Sequence, residues 1–151
     1  MKRVISAMLI FITVIGLMPA ALAEAAPEAP TTKHICLMDA NTGAVLYEKD
    51  ARSKAYPAST TKIMTTILAL ELCDDLEEKV NVGSNFDKRG SLMKFVNNEE
   101  LRIIDLIYGT MMVSGNDAAS ALAIHIPGSQ DEFSKLMNAK AAEIGMNDTH
   151  F

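Results

Sequence analysis

Ser59-Thr60-Thr61-Lys62 sets a hydroxyl and a primary amine three residues apart, at the head of an apolar run from Ile63 to Leu72. On a helix this spacing puts both side chains on one face, about 5–6 Å apart at Cβ, with the longer one leaning back toward the N-terminus. Such a pair can do nucleophilic chemistry. A serine that acylates without a histidine needs another base, and a lysine one turn away can be that base. Fifty-two positions after Lys62 comes Ser114-Gly115-Asn116, a second hydroxyl and an amide in a turn-forming tripeptide. Ser59, Lys62, Ser114 and Asn116 are therefore the candidate site residues.

A second Ser-x-x-Lys, Ser91-Leu92-Met93-Lys94, shows that the four-residue pattern alone is weak. Context separates the two. Ser59 follows Tyr56-Pro57-Ala58, where the proline biases the preceding residue to extended backbone, and it leads into a helical pattern. Ser91 follows Gly90 in a stretch broken by Gly83, Asn85, Asp87, Asn97 and Asn98. At a helix start the first backbone N–H groups lack intrahelical partners, and the positive end of the helix dipole favours a developing oxyanion. Ser59 has that setting and Ser91 does not. The plainer reading of Ser59 is a helix-capping serine, which does not account for the second motif.

The elements that must position these residues follow from periodicity. His34 to Asp39 and Ala44 to Lys49 read as two strands joined by a turn at Asn41-Thr42-Gly43, hence a hairpin. A helix is expected from Ser59 to about Leu72, apolar on most sides and without charge between Ile63 and Leu70, so buried in the domain. Asp74 to Asn98 is turn-rich, with a short strand near Val80-Val82. A second helix begins at Leu101 and ends at the Ser114 loop. Asn116 or Ser114 caps a third over Asp117 to Ile126, stopped by Pro127-Gly128. Ser129-x-x-Glu132 is a capping box for a fourth, ending at Gly145.

Residues 1–23 read as a signal peptide: Lys2 and Arg3, an apolar stretch from Val4 to Leu17, and Ala21-Leu22-Ala23 as the cleavage site. An uncleaved N-terminal anchor is the alternative, since Val4 to Ala23 is about the length of a membrane span. Residues 24–33 form a Pro/Ala/Thr linker, and 34–151 the folded portion. The formal net charge is −5 over 151 residues, and loss of Lys2 and Arg3 makes the remainder more acidic. That argues against a nucleic-acid partner, which calls for a basic patch. Cys36 and Cys73 are the only cysteines. In an exported protein they can pair, but a strand and a helix end fit two buried free thiols better. His34, His125 and His150 lack metal-ligand spacing, and no Gly-x-Ser-x-Gly elbow is present. The ten methionines sit mostly in apolar segments and read as core, so no cofactor is expected.

Ser-x-x-Lys followed by Ser-x-Asn is the signature of penicillin-binding proteins and β-lactamases. From Ile35 to Phe151 the chain resembles the serine D-alanyl-D-alanine carboxypeptidases, the low-molecular-mass penicillin-binding proteins. Four blocks carry the resemblance, in order: Leu37 to Gly43, Tyr56 to Thr65, Ser114 to Ala119, and Gly145 to Phe151. It implies an α+β fold of the β-lactamase/transpeptidase-like type, a helical cluster on an antiparallel sheet. It also implies the removal of the terminal D-Ala from peptidoglycan stem pentapeptides on the extracytoplasmic side of the cell envelope. β-Lactam antibiotics would act as acylating inhibitors. The family roles fall on Ser59 as nucleophile, Lys62 as general base, Ser114 as proton relay to the leaving amine, and Asn116 as the residue binding the substrate peptide and steadying the lysine.

The family's third motif, Lys-Thr-Gly on a strand edging the site, is missing, and Lys88-Arg89-Gly90 lacks the strand context. The chain therefore reads as the N-terminal part of the catalytic domain, ending before the C-terminal strands. As a fragment it is expected to be inactive, and any membrane association of the parent would lie in the C-terminal region. A class A β-lactamase is one alternative; such enzymes usually carry Ser-Asp-Asn, against Gly115 here. A non-catalytic penicillin- or peptidoglycan-binding module on the same scaffold is the other.

Overall fold

The computed structural model describes residues 31–151, which divide into a unit ending at Ala55 and a unit spanning Tyr56–Phe151. The expected signal peptide and residues 24–30 of the expected linker lie outside the described residues. In the first unit, β1 (Ile35–Met38) pairs antiparallel with β2 (Val45–Lys49), with Cys36 opposite Glu48 and an irregularity between Leu37 and Met38. The turn is built by one carboxylate. Asp39 Oδ1 accepts from the Asn41 and Thr42 amides at 3.1 and 2.8 Å and from the Thr42 hydroxyl at 2.7 Å. Gly43, at φ +72°, supplies the left-handed residue that closes the loop.

The second unit begins with a 3₁₀ turn, Ala58–Thr61, that runs into α1 (Lys62–Leu72). β3 (Lys79–Asn81) pairs antiparallel with β4 (Glu100–Arg102), and α2 (Ile103–Met112), α3 (Asn116–His125) and α4 (Gln130–Glu143) follow. Two apolar clusters hold it together. One joins Ala69 of α1, Val80 and Val82, Ile103, Leu106 and Ile107 of α2, and Ala118 and Leu122 of α3. The other sets Met64 and Leu68 of α1 against Ala123 and the α4 residues Phe133, Met137 and Ala141. Helices α1 to α3 thus share one core, and the small β3–β4 sheet closes its edge.

Three details depart from the sequence reading. The second helix starts at Ile103, because Leu101 and Arg102 first complete β4, and Arg102 reaches out to Glu77 and Asp105 at 2.7 Å each. α1 is buried only along Met64, Thr65, Leu68 and Ala69. α2, α3 and α4 all meet that stripe, and Ile63, Leu70 and Leu72 remain about half exposed, at 51, 51 and 48%. Both cysteine thiols are free, but Cys36 is exposed because its strand belongs to a hairpin with exposed residues on both faces.

α4 is framed much as its sequence indicates. Ser129 Oγ accepts from the Glu132 amide at 3.2 Å, while the Glu132 carboxylate turns to Lys135, so half of the capping box forms. At the other end Gly145 has φ +84°, and the Met146 and Gly145 amides donate to the Ala141 and Ala142 carbonyls, a Schellman closure.

Candidate active site

Ser59 stands in the 3₁₀ turn that precedes α1, not on the α-helix itself as the sequence led us to expect. Such tighter turns are common at helix N-termini. Here Pro57 and Thr60 make it: the Thr60 amide and hydroxyl both donate to the Pro57 carbonyl, at 3.1 and 2.8 Å. Ala58 takes the left-handed conformation, φ +50°, so the chain turns sharply just before Ser59 and leaves the serine exposed. A non-glycine residue there costs on the order of 1 kcal/mol, and such strain clusters at functional sites.

Lys62, the first residue of α1, is half-buried. Its amine donates to Asn116 Oδ1 at 2.7 Å and to Ser114 Oγ at 3.3 Å. No hydrogen bond joins it to Ser59. The spacing argument put Ser59 and Lys62 on one face, and the two acceptors at the α2–α3 junction hold the amine instead. Ser114 occupies the junction between α2 and α3 at φ +56°, the second left-handed non-glycine residue of the site.

Asn116 is fixed on every polar side-chain atom. The Arg89 carbonyl can only accept, so Nδ2 must face it, 2.8 Å away, and Oδ1 is left to face Lys62. Its backbone amide donates to the Ser91 carbonyl at 2.8 Å. The caps expected from Ser114 or Asn116 do not form. Gly115 is the N-cap of α3, because both side chains are committed to Lys62 instead.

The structure therefore brings Lys62, Ser114 and Asn116 into one hydrogen-bonded group, with Ser59 one turn before the lysine. It also adds a wall the sequence reading had set aside. Residues 89–94, which contain the second Ser-x-x-Lys, press against the α2–α3 junction. Gly109 of α2 makes room for this wall: a Cβ there would lie 3.1 Å from Met93 Cγ and 3.3 Å from Ala118 Cβ. Gly115 is equally tight, its absent Cβ 2.9 Å from Asp117 Oδ1, 3.0 Å from the Gly109 carbonyl and 3.2 Å from the Met93 amide nitrogen. The only hint of the wall in the sequence is the run of Gly, Asn and Asp in the stretch around it, Gly83 to Asn98, which signals turns but not where they land.

Comparison with known proteins places the chain and its fold. A family model described as D-alanyl-D-alanine carboxypeptidase, peptidase S11, matches residues 21–151. The D-alanyl-D-alanine carboxypeptidase DacF of Bacillus subtilis is 36% identical over 161 residues, covering all of this chain and 41% of the relative. Among solved structures, the carboxypeptidase DacD of Francisella tularensis superposes with a TM-score of 0.77 at 35% identity, over 85% of this chain and 32% of that one. Penicillin-binding protein 5 of Haemophilus influenzae gives 0.76 at 32% identity, over 85% of this chain and 40% of the other. The chain thus spans about two-fifths of the curated relative, and over that span its α+β fold is that of the penicillin-binding proteins. With a family model matching residues 21–151, the chain belongs to the D-alanyl-D-alanine carboxypeptidase family, peptidase S11.

Proposed function

We propose that the whole protein is a serine D-alanyl-D-alanine carboxypeptidase that trims the terminal D-Ala from peptidoglycan stem pentapeptides. The observation that carries this reading is the Lys62 amine, held on Ser114 Oγ and Asn116 Oδ1 one turn beyond an exposed Ser59. Ser59 Oγ attacks the carbonyl of the penultimate D-Ala and gives its proton to Lys62. The C–N bond breaks, and the proton travels through Ser114 to the departing amine of the terminal D-Ala. Water then attacks the Ser59 ester with Lys62 again as base, releasing the shortened peptide and restoring the hydroxyl. Asn116 steadies the amine throughout and offers its amide to the substrate backbone.

A β-lactam presents a strained amide to the same serine, so penicillins should act as acylating inhibitors. The substrate lies outside the cytoplasmic membrane, and the reading therefore includes export of the chain with removal of residues 1–23. Gly115 speaks against the class A β-lactamase alternative. The Asp of Ser-Asp-Asn would need side-chain space that Asp117 and the Met93 amide already fill.

The test is fluorescent-penicillin labelling of the whole protein, followed by mapping of the labelled peptide. Label on Ser59, its loss of up to about 10⁶ in turnover in Ser59→Ala, and release of D-alanine from a pentapeptide are the expected results. Rapid turnover of the label points to the lactamase, absence of label to the binding module, and label on Ser91 to the wrong serine.

A further inference from the structure

Asp117 is 1% exposed, yet no cation pairs with it among the described residues. Its carboxylate is held by three backbone N–H groups instead: Oδ1 accepts from Met93 and Ala118 at 2.9 Å each, and Oδ2 accepts from Lys94 at 2.8 Å. A buried carboxylate is tolerated only when hydrogen-bonded, and bonds from N–H to an ionised oxygen are strong ones. One of the three donors is in its own helix. The other two lie in the 89–94 wall, which an ordinary helix-terminal aspartate has no reason to grip.

The same wall is gripped from the other side by Asn116. Its side chain donates to the Arg89 carbonyl and its backbone to the Ser91 carbonyl, each at 2.8 Å. Neighbouring residues of α3 thus clasp one short segment, Asn116 by its carbonyls and Asp117 by its amides. Gly90 and Lys94, at φ +70° and +71°, provide the bends that present both sets. With Nδ2 anchored on Arg89, the amide plane of Asn116 is set and Oδ1 faces the Lys62 amine.

We propose that Asp117 is a positioning residue: by clamping the Met93 and Lys94 amides it holds the Arg89 and Ser91 carbonyls on Asn116, and through Asn116 it fixes the Lys62 amine. The kinetic consequence rests on the acylating function proposed above; the clamp itself does not.

The experiment compares the whole protein with Asp117→Asn and Gly90→Ala. The first keeps the volume but turns one acceptor into an NH₂ facing an N–H. The second leaves Asp117 untouched and acts at an exposed position, where a Cβ would come within 2.9 Å of Asn116 Nδ2. In both, the Asn116 side-chain NH₂ resonances should shift and exchange faster. Asp117→Asn should also release the protected Met93 and Lys94 amides. Acylation by benzylpenicillin should slow on the order of 10²-fold, the scale of a small misplacement, with the pre-acylation Kd little changed. If Asp117→Asn fails to fold, Gly90→Ala decides. Unchanged Asn116 resonances in the folded variants overturn the clamp, and altered resonances with an unchanged acylation rate overturn its role in positioning. If the unsubstituted protein is not acylated at all, the functional reading falls, while the Asn116 resonances still decide the clamp.

Discussion

At the scale of single residues, the chemistry rests on an amine whose hydrogen bonds go to Asn116 and Ser114 and not to the serine it is proposed to activate. Lys62→Arg separates charge from basicity, since a guanidinium donates to the same acceptors but cannot act as a base. The variant should fold with unchanged stability and acylate with penicillin about 10²–10⁴-fold more slowly, the usual contribution of a general base. Stopped-flow acylation checks this, and a wild-type rate would remove Lys62 from the base role. The grouping of Lys62 with Ser114 and Asn116 was legible because side-chain chemistry is written in residue type and spacing. Asp117 was not, because its partners are backbone N–H groups of Met93 and Lys94, which any residue at those positions supplies.

At the scale of elements, the helices were readable and the short strands only partly so. α2 carries a 3.6-residue apolar period long enough to detect, α3 is stopped by Pro127-Gly128, and α4 carries both cap and stop signals. β3 and β4 have three residues each, too few for an alternation, so Leu101 looked like the first residue of the following helix. The apolar content of α1 was visible, but composition does not reveal that its neighbours all pack on one side. Phe133 of α4 is 2% exposed and joins α4 to Met64 and Leu68 of α1. Phe133→Ala should cost about 3–5 kcal/mol, measured by urea unfolding. It should slow acylation far less than Asp117→Asn, because its packing lies in the cluster away from the 89–94 wall.

At the scale of the whole molecule, several acidic groups tie folding to pH. The Thr42 hydroxyl, then its amide, holds the Asp39 carboxyl below its ordinary range; Arg89 does the same for Asp87, and Arg102 for Asp105. A carboxyl whose folded value is depressed adds stability that is complete above its unfolded value, near 3.9, and is lost as pH falls through the folded value. The urea midpoint should therefore be flat in this contribution from pH 7 to about 5 and decline below about 4. Asp105→Asn should make that decline shallower, and an identical acid limb in the variant would contradict the assignment. All three groups are near the surface, so each effect is small. The proposed export makes a separate prediction: N-terminal sequencing of secreted material should begin at Glu24 or within the next few alanines, whereas an intact Met1 in the membrane fraction would favour the anchor.

The crowding around Gly115 has a consequence for how this chain's lineage can change. A side chain at 115 would enter the space now held by the Asp117 carboxylate and the Met93 amide. Drift at 115 is therefore blocked for as long as Asp117 stands. An acidic replacement is doubly excluded, since it would bring a second negative charge against the first. Release requires 117 to become smaller and the Gly109 carbonyl, 3.0 Å from the same point, to give way, with some other group taking over the grip on Met93 and Lys94. The two positions form one inherited unit, so sequences that depart from glycine at the first should depart from aspartate at the second as well.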